Sequence, residues 1–236
     1  MHPIETKIIL DEENPIFKIK PDKETSLITV DSILESYILS CAKSLTAITS
    51  AIKKTSLSLK MLDKDLLSHI DYDDESLSTY IEILIENSII RVQLIYDRLL
   101  ISINNVLNLG ISNECINHNS LVTNRHVISF GLADKLKSIN KSCNQYRKIR
   151  NTVIHHDRYD EEAFNQLKMI ISANLLSKQT GKSEIINNET LNILIDDFLK
   201  ITYKDIDIYL QSITSKIYDL FDNISPIYDF QKSKLR

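Results

Sequence analysis

A chain of 236 residues with 43% hydrophobic content can bury a sizeable core, as one large domain or two small ones. Its net charge of -4 and isoelectric point near 5.9 argue against a surface that wraps nucleic acid along its whole extent, while leaving room for a local basic site. Only three glycines and four prolines are present, so long uninterrupted elements and an all-α fold are expected. Cys41, Cys115 and Cys143 are odd in number, far apart and without CxxC spacing. They read as reduced, small apolar residues on helices in a reducing compartment, not as metal ligands. The start, MHPIETKIILDEENPIFKIKP, has no apolar core of signal-peptide length, and no run of about twenty apolar residues occurs anywhere. The expectation is a cytoplasmic protein that does not enter a membrane and carries neither metal nor cofactor.

In chain order, residues 1–30 stand apart as an N-terminal arm or hairpin, with β-prone runs at Ile4 to Leu10 and Ile16 to Ile19. Asp31 or Ser32 can cap a helix from Ile33 to about Leu62, whose apolar residues Leu34, Ile38, Cys41, Leu45, Ile48 and Ile52 recur at three or four. The acidic stretch Asp63 to Glu75 reads as a solvated connection. A second helix, about Leu77 to Leu109, is apolar in almost every direction and therefore central, with Gly110 as its terminator. Residues 111–132 form a polar connection with some helical turn. Asp134 opens a third helix that reaches at least Ile149 and extends toward His155. Asp160 caps a fourth from Glu161 to about Ser177, and a last helix spans roughly Leu191 to Phe221. About five helices thus make a bundle over residues 31–225, followed by a frayed tail, 226–236.

Chemistry concentrates in the third helix. Leu136, Ile139, Cys143 and Tyr146 set an apolar rhythm whose next positions are Arg150 and Val153. A guanidinium where a core side chain is due is costly unless paired, so it marks either an ion pair or a site. Asn151 and His155, four apart, share one helix face, and the long Arg150 arm can swing to it. Together they offer a permanent positive fork for phosphate, a positioning amide and an imidazole of near-neutral pKa. These are the parts needed to cleave RNA without metal: His155 moves a proton of the 2′-hydroxyl or leaving oxygen, and Arg150 holds the phosphate charge. From Cys115 to His156 seven basic residues face one acid, Asp134. Arg147, Lys148, Lys141 and, just beyond, Arg158 are the candidate RNA contacts, although a solvated basic helix face gives the same pattern. Asp97 is an acid in a very apolar helix. It reads either as the partner that orients Arg150 or as a polar notch facing water.

The segment RNTVIHH, Arg150 to His156, resembles the defining motif of the HEPN superfamily: an arginine, commonly followed by a polar residue such as Asn151, then a histidine. The segment Tyr96-Asp97-Arg98 and the following LLISINNVLNLGI are also similar to the long helix before the motif in several prokaryotic HEPN families. The resemblance covers about residues 31 to 180. It implies an HEPN-like helical bundle and a metal-independent endoribonuclease acting as a homodimer, with both motifs facing one cleft. A toxin or anti-phage effector with an antitoxin or other regulatory partner is the implied setting. The alternative is a non-catalytic HEPN-like module that binds nucleotide or RNA, or that dimerises. His156 is a spare imidazole, with His155 preferred for its spacing to Asn151. Some toxin members carry tyrosine two residues after the histidine. Here Asp157 stands there and Tyr159 follows later, which puts regulation by modification of that tyrosine in doubt.

Two other patterns carry no site. Thr180-Gly181-Lys182-Ser183 resembles the end of a P-loop, but Leu176 replaces the required glycine and no strand precedes it, so it reads as a loop. His2, His69, His118 and His126 are scattered and read as surface histidines.

Overall fold

The computed structural model describes residues 2–18, 28–68, 74–156 and 159–236. They form α1 (Pro3–Ile9), α2 (Ile33–Lys60), α3 (Lys64–Ser68), α4 (Asp74–Val106), α5 (His118–Val122), α6 (Arg125–Ser129), α7 (Ala133–Cys143), α8 (Arg147–His156), α9 (Glu162–Gln179) and α10 (Asn188–Leu235), with 3-10 turns at Pro15–Lys18 and Asn113–Cys115. Among the described residues there is no strand, and no helix is long and apolar enough to cross a membrane. The all-α expectation holds with more helices than the five foreseen. Four of the additions, α1, α3, α5 and α6, are short. The fifth arises because the third predicted helix is broken by a turn at residues 144–146 into α7 and α8. Residues 69–73 of the acidic connection, His69 among them, lie outside the described residues.

The chain folds into two compact units, the first built from Met1–Ile52, Gln93–Cys143 and Ser212–Arg236, the second from Lys53–Val92 and Asn144–Gln211. In the first, Ile38, Leu45 and Ile48 of α2, Ile95, Leu99 and Ile103 of α4, and Ile213, Ile217, Leu220 and Ile224 of α10 are buried at helical spacing. Each such side chain contributes about 1.5–3 kcal/mol by leaving water. The Ser32 hydroxyl accepts from the Glu35 N–H at 3.1 Å, which starts α2 where the sequence placed it. The end of α4 departs from expectation. The left-handed residue is Asn108 (φ 49°), with Leu109 N–H donating to Asn104 O and Asn108 N–H to Asn105 O. An asparagine closes the helix before Gly110 is reached, because its short polar side chain tolerates this backbone region.

The N-terminal β-prone run is a helix instead. Pro3 occupies the first turn, the His2 Nδ1 accepts from the Ile4 N–H, and Glu5 accepts from the His2 N–H. Ile4 and Ile8, four apart, then both face inward and are buried. Nor do residues 226–236 fray. Helix α10 continues through Pro226 to Leu235, with Ile227 and Tyr228 buried. The two chain ends hold each other. Lys7 pairs with Asp229 at 2.5 Å, Asp11 accepts from Tyr228 and Lys232 at 2.7 Å each, and Glu13 accepts from Lys232 and Arg236 at 2.7 Å each. The Tyr228 ring stacks on Tyr37, centroids 5.7 Å apart.

These contacts make the arm sensitive to acid. Hydrogen bonds from Arg236 and Lys232 lower the Glu13 pKa from its ordinary 4.5 to about 2. Burial alone would raise Asp11, but hydrogen bonds from Lys232 and Tyr228 outweigh it and the net shift is downward. Depressed folded-state values mean that the stabilisation is complete above the unfolded pKa and fades as pH falls through the folded one. Protection of the amides in residues 3–14, taken relative to their intrinsic exchange rates at each pH, is therefore expected to fall between about pH 4.5 and 2 before that of the α4 core does. Equal loss of protection at both places would count against a separable arm.

Two sequence expectations for single residues are corrected. Cys41 and Cys143 are buried, and burial pushes both thiols up to about 12, whereas Cys115 is exposed on a 3-10 turn. His2 and His118 are not plain surface residues. His2 caps α1 and lies 3.1 Å from Asp222, and the His118 Nδ1 is 2.5 Å from the buried Tyr96 hydroxyl.

Candidate functional site

Helix α8 sits in the second unit and presents one apolar seam. Val153 is buried, Ile149 half-buried, and Tyr146 just before the helix packs its ring 4.7 Å from that of Tyr209 on α10. This seam fixes which way the rest of the helix faces. Burial pushes the Tyr146 hydroxyl pKa up, so the ring behaves as a neutral packing group. Ile154, Arg147 and Lys148 are exposed.

Arg150 and Asn151 are both half-buried. The Arg150 Nη2 donates to the Asn151 Oδ1 at 3.0 Å, while the Arg150 Nε is fully covered. The guanidinium is thus neither swinging in solvent nor sealed in the core. One edge is held by a neighbouring amide, which limits its rotamers and aims the fork. His155 and His156 occupy the last turn of α8, but their side chains, and the whole of Arg158, lie outside the described residues. Lys141, on α7 in the first unit, is exposed.

Asp97 also belongs to the first unit. It is exposed on α4 and lies within 3.4 Å of the Gln93 amide that donates to it. The acid that α4 uses to hold the motif segment is Glu82, which the sequence reading did not single out. Its Oε1 accepts from the Tyr159 N–H at 3.2 Å and its Oε2 from Lys168 at 2.6 Å. Tyr159 is buried against Phe164, centroids 5.6 Å apart, and Phe164 packs on Phe198. The chain leaving α8 is therefore clamped within a few residues of the motif. The signal was available: Glu82 interrupts the apolar run Ile81 to Ile85 much as Asp97 interrupts its own.

The HEPN_Cthe2314-like HEPN family model matches residues 37–226. The chain belongs to this HEPN family. No curated protein and no solved structure gives a match. The matched HEPN region begins at Tyr37 in α2 and ends at Pro226 in α10. It includes all of α8, so the Arg150–Asn151 pair lies inside the HEPN domain.

The contact between Arg150 and Asn151 can be probed directly. A partly exposed hydrogen bond to a charged group contributes roughly 1 kcal/mol. Asn151→Ala is expected to lower unfolding free energy by no more than that in urea titrations and to broaden the Arg150 Nε–H NMR signal as the fork gains freedom. An unchanged Arg150 signal would show that the amide does not hold it.

Proposed function

We propose that this HEPN protein is a metal-independent endoribonuclease that works as a homodimer, with Arg150, Asn151 and His155 as its catalytic group and His156 in reserve. The observation that carries this is the half-buried guanidinium held by the adjacent amide on a motif-bearing helix inside a matched HEPN domain. A fork fixed this way suits the two non-bridging oxygens of a phosphodiester. His155, near-neutral in ordinary pKa, takes the proton of a ribose 2′-hydroxyl. The 2′-oxygen bonds to phosphorus, the bond to the 5′-oxygen breaks, and a proton is returned to that oxygen. The products are a 2′,3′-cyclic phosphate and a 5′-hydroxyl. Arg150 offsets the charge that grows on phosphorus-bound oxygen during the step. Arg147, Lys148, Arg158 and Lys141 hold the RNA backbone, and their contribution falls with salt. A toxin or defence role, restrained by an antitoxin or another regulatory partner, fits such an activity.

The test is cleavage of a labelled RNA by the purified full chain in excess EDTA, with end-group analysis and sedimentation in parallel. Cyclic phosphate ends from a dimer support the reading. Saturable RNA binding without turnover would replace it by the non-catalytic binding module that the chain's acidic balance favours. Full activity in the His155→Ala, His156→Ala double variant would reject the mechanism.

A further inference from the structure

Helix α10 carries two kinds of face within the second unit. Ile195, Leu199, Ile206 and Tyr209 are buried. On a separate face Leu194, Ile201 and Ile208 stand in water, 39%, 63% and 56% exposed. They are spaced by seven and seven residues. On a helix that repeat draws one straight apolar row, about 21 Å from end to end. Single exposed aliphatic residues are ordinary on any surface. A heptad row of three is what one helix presents to another.

The charges beside the row say which helix that is. Asp197 stands one turn before Ile201 and Lys204 one turn after it, both exposed and, by helical spacing, on the same edge of the row. They lie about 10 Å apart along the axis, too far to pair within one chain. Among the described residues neither makes a hydrogen bond or a salt bridge. Their neighbour Lys200 is held by Asp196 at 2.5 Å, and Asp197 acts on it only from a distance. The row is symmetric about Ile201. A second copy laid antiparallel, with a two-fold axis beside Ile201, sets Leu194 against Ile208 of that copy and Ile201 against its own counterpart. The same axis brings like edges together. Asp197 of each chain then meets Lys204 of the other, within one residue of the same height.

We infer that α10 pairs with itself: Leu194, Ile201 and Ile208 form an antiparallel contact between two copies of this chain, edged by two Asp197–Lys204 pairs. The aliphatic row supplies the attraction and the charges set the direction. Helix α8 runs beside this stretch of α10 in the opposite sense. Tyr146 before it packs on Tyr209, and Tyr159 after it reaches Phe198 through Phe164. A two-fold axis perpendicular to the α10 pair carries both copies of α8 to one side of it, the arrangement a shared cleft needs. The contact rests on the homodimer part of the reading above and is independent of the chemistry at Arg150.

Sedimentation equilibrium of the full chain reads the contact directly. The Ile201→Asp, Ile208→Asp double variant is expected to raise the dimer dissociation constant about a hundredfold or more. Its melting temperature should stay near wild type, because both positions are exposed. Lys204→Glu is expected to weaken the dimer about tenfold, and adding Asp197→Lys to restore it to within about threefold, a rescue that only pairing between copies gives. Cys41 and Cys143 are buried, so Cys115→Ser gives a background for cross-linking. There Ile201→Cys is expected to cross-link to itself under mild oxidant, and Leu194→Cys to cross-link with Ile208→Cys but not with itself. A dimer untouched by the double aspartate variant, or Leu194→Cys chains that cross-link to each other, would overturn this contact and leave a homodimer through another face or in another direction. A monomeric wild-type chain would overturn the contact and the homodimer reading together. A monomeric double variant that still cleaves RNA would uphold the contact and remove the dimer requirement from the nuclease.

Discussion

Arg150→Ala is expected to lower RNA cleavage by about two to three orders of magnitude, the loss seen when one donor to a developing oxyanion is removed. The more informative variant is Arg150→Lys. It keeps the charge, and a site that needed only positive potential would recover most of its rate. The structure argues otherwise. Arg150 gives one Nη to Asn151 from a half-buried position, and its planar fork lets another nitrogen serve a phosphate oxygen in a fixed direction. A lysine ammonium is a point charge on a flexible stem and cannot hold the amide and a phosphate in the same relation. Arg150→Lys should therefore cleave within about tenfold of Arg150→Ala, with near-unchanged RNA binding at low salt. Single-turnover rates and filter-binding affinities on the same RNA decide this. A lysine variant at more than about half the wild-type rate would reduce Arg150 to a general electrostatic contact.

How much of this is legible in the sequence depends on which forces act locally. Helices α4 and α9 are legible to within a few residues, because each is a long stretch rich in apolar residues bounded by polar segments. The break at residues 144–146 was not legible. The rhythm Leu136, Ile139, Cys143, Tyr146, Arg150, Val153 runs straight through it, since each half keeps its own seam and Tyr146 is a seam residue of α8 lying in the turn. Helix α1 was missed because isoleucine favours strands in the abstract, while Pro3, His2 and Glu5 supply the start signals that win locally. Pro226 and the polar residues after it look like a frayed end. What keeps them helical is the distant arm, through Asp11 and Glu13, which no window of sequence contains. The same limit applies to the site. Arg150 and Asn151 were named from spacing and do touch. Asp97 and Glu82 look alike in sequence, each an acid in an apolar run, yet one is exposed and the other grips Tyr159 and Lys168. Which face of α4 is covered in each unit decides between them, and that is set by tertiary packing.

The grip on the segment after α8 gives the largest expected effect on stability. Phe164 is 1% exposed and touches both Tyr159 and Phe198. Truncation to alanine removes a ring from a packed interior and leaves a cavity, which costs about 3–5 kcal/mol. For a chain of this length that corresponds to a fall in melting temperature of roughly 10 °C. Phe164→Leu retains most of the volume and should cost about a third as much. The two variants separate packing from positioning. If Tyr159 matters only through the stability of the second unit, the leucine variant will cleave RNA at the wild-type rate below its melting temperature. If the ring contact also holds the backbone that follows the motif, the leucine variant will lose cleavage out of proportion to its stability. Glu82→Ala will then share that loss, because it removes the acceptor of the Tyr159 N–H together with the pair to Lys168. Wild-type cleavage by both Phe164→Leu and Glu82→Ala would leave the Glu82–Tyr159–Phe164 chain as a support of the fold alone.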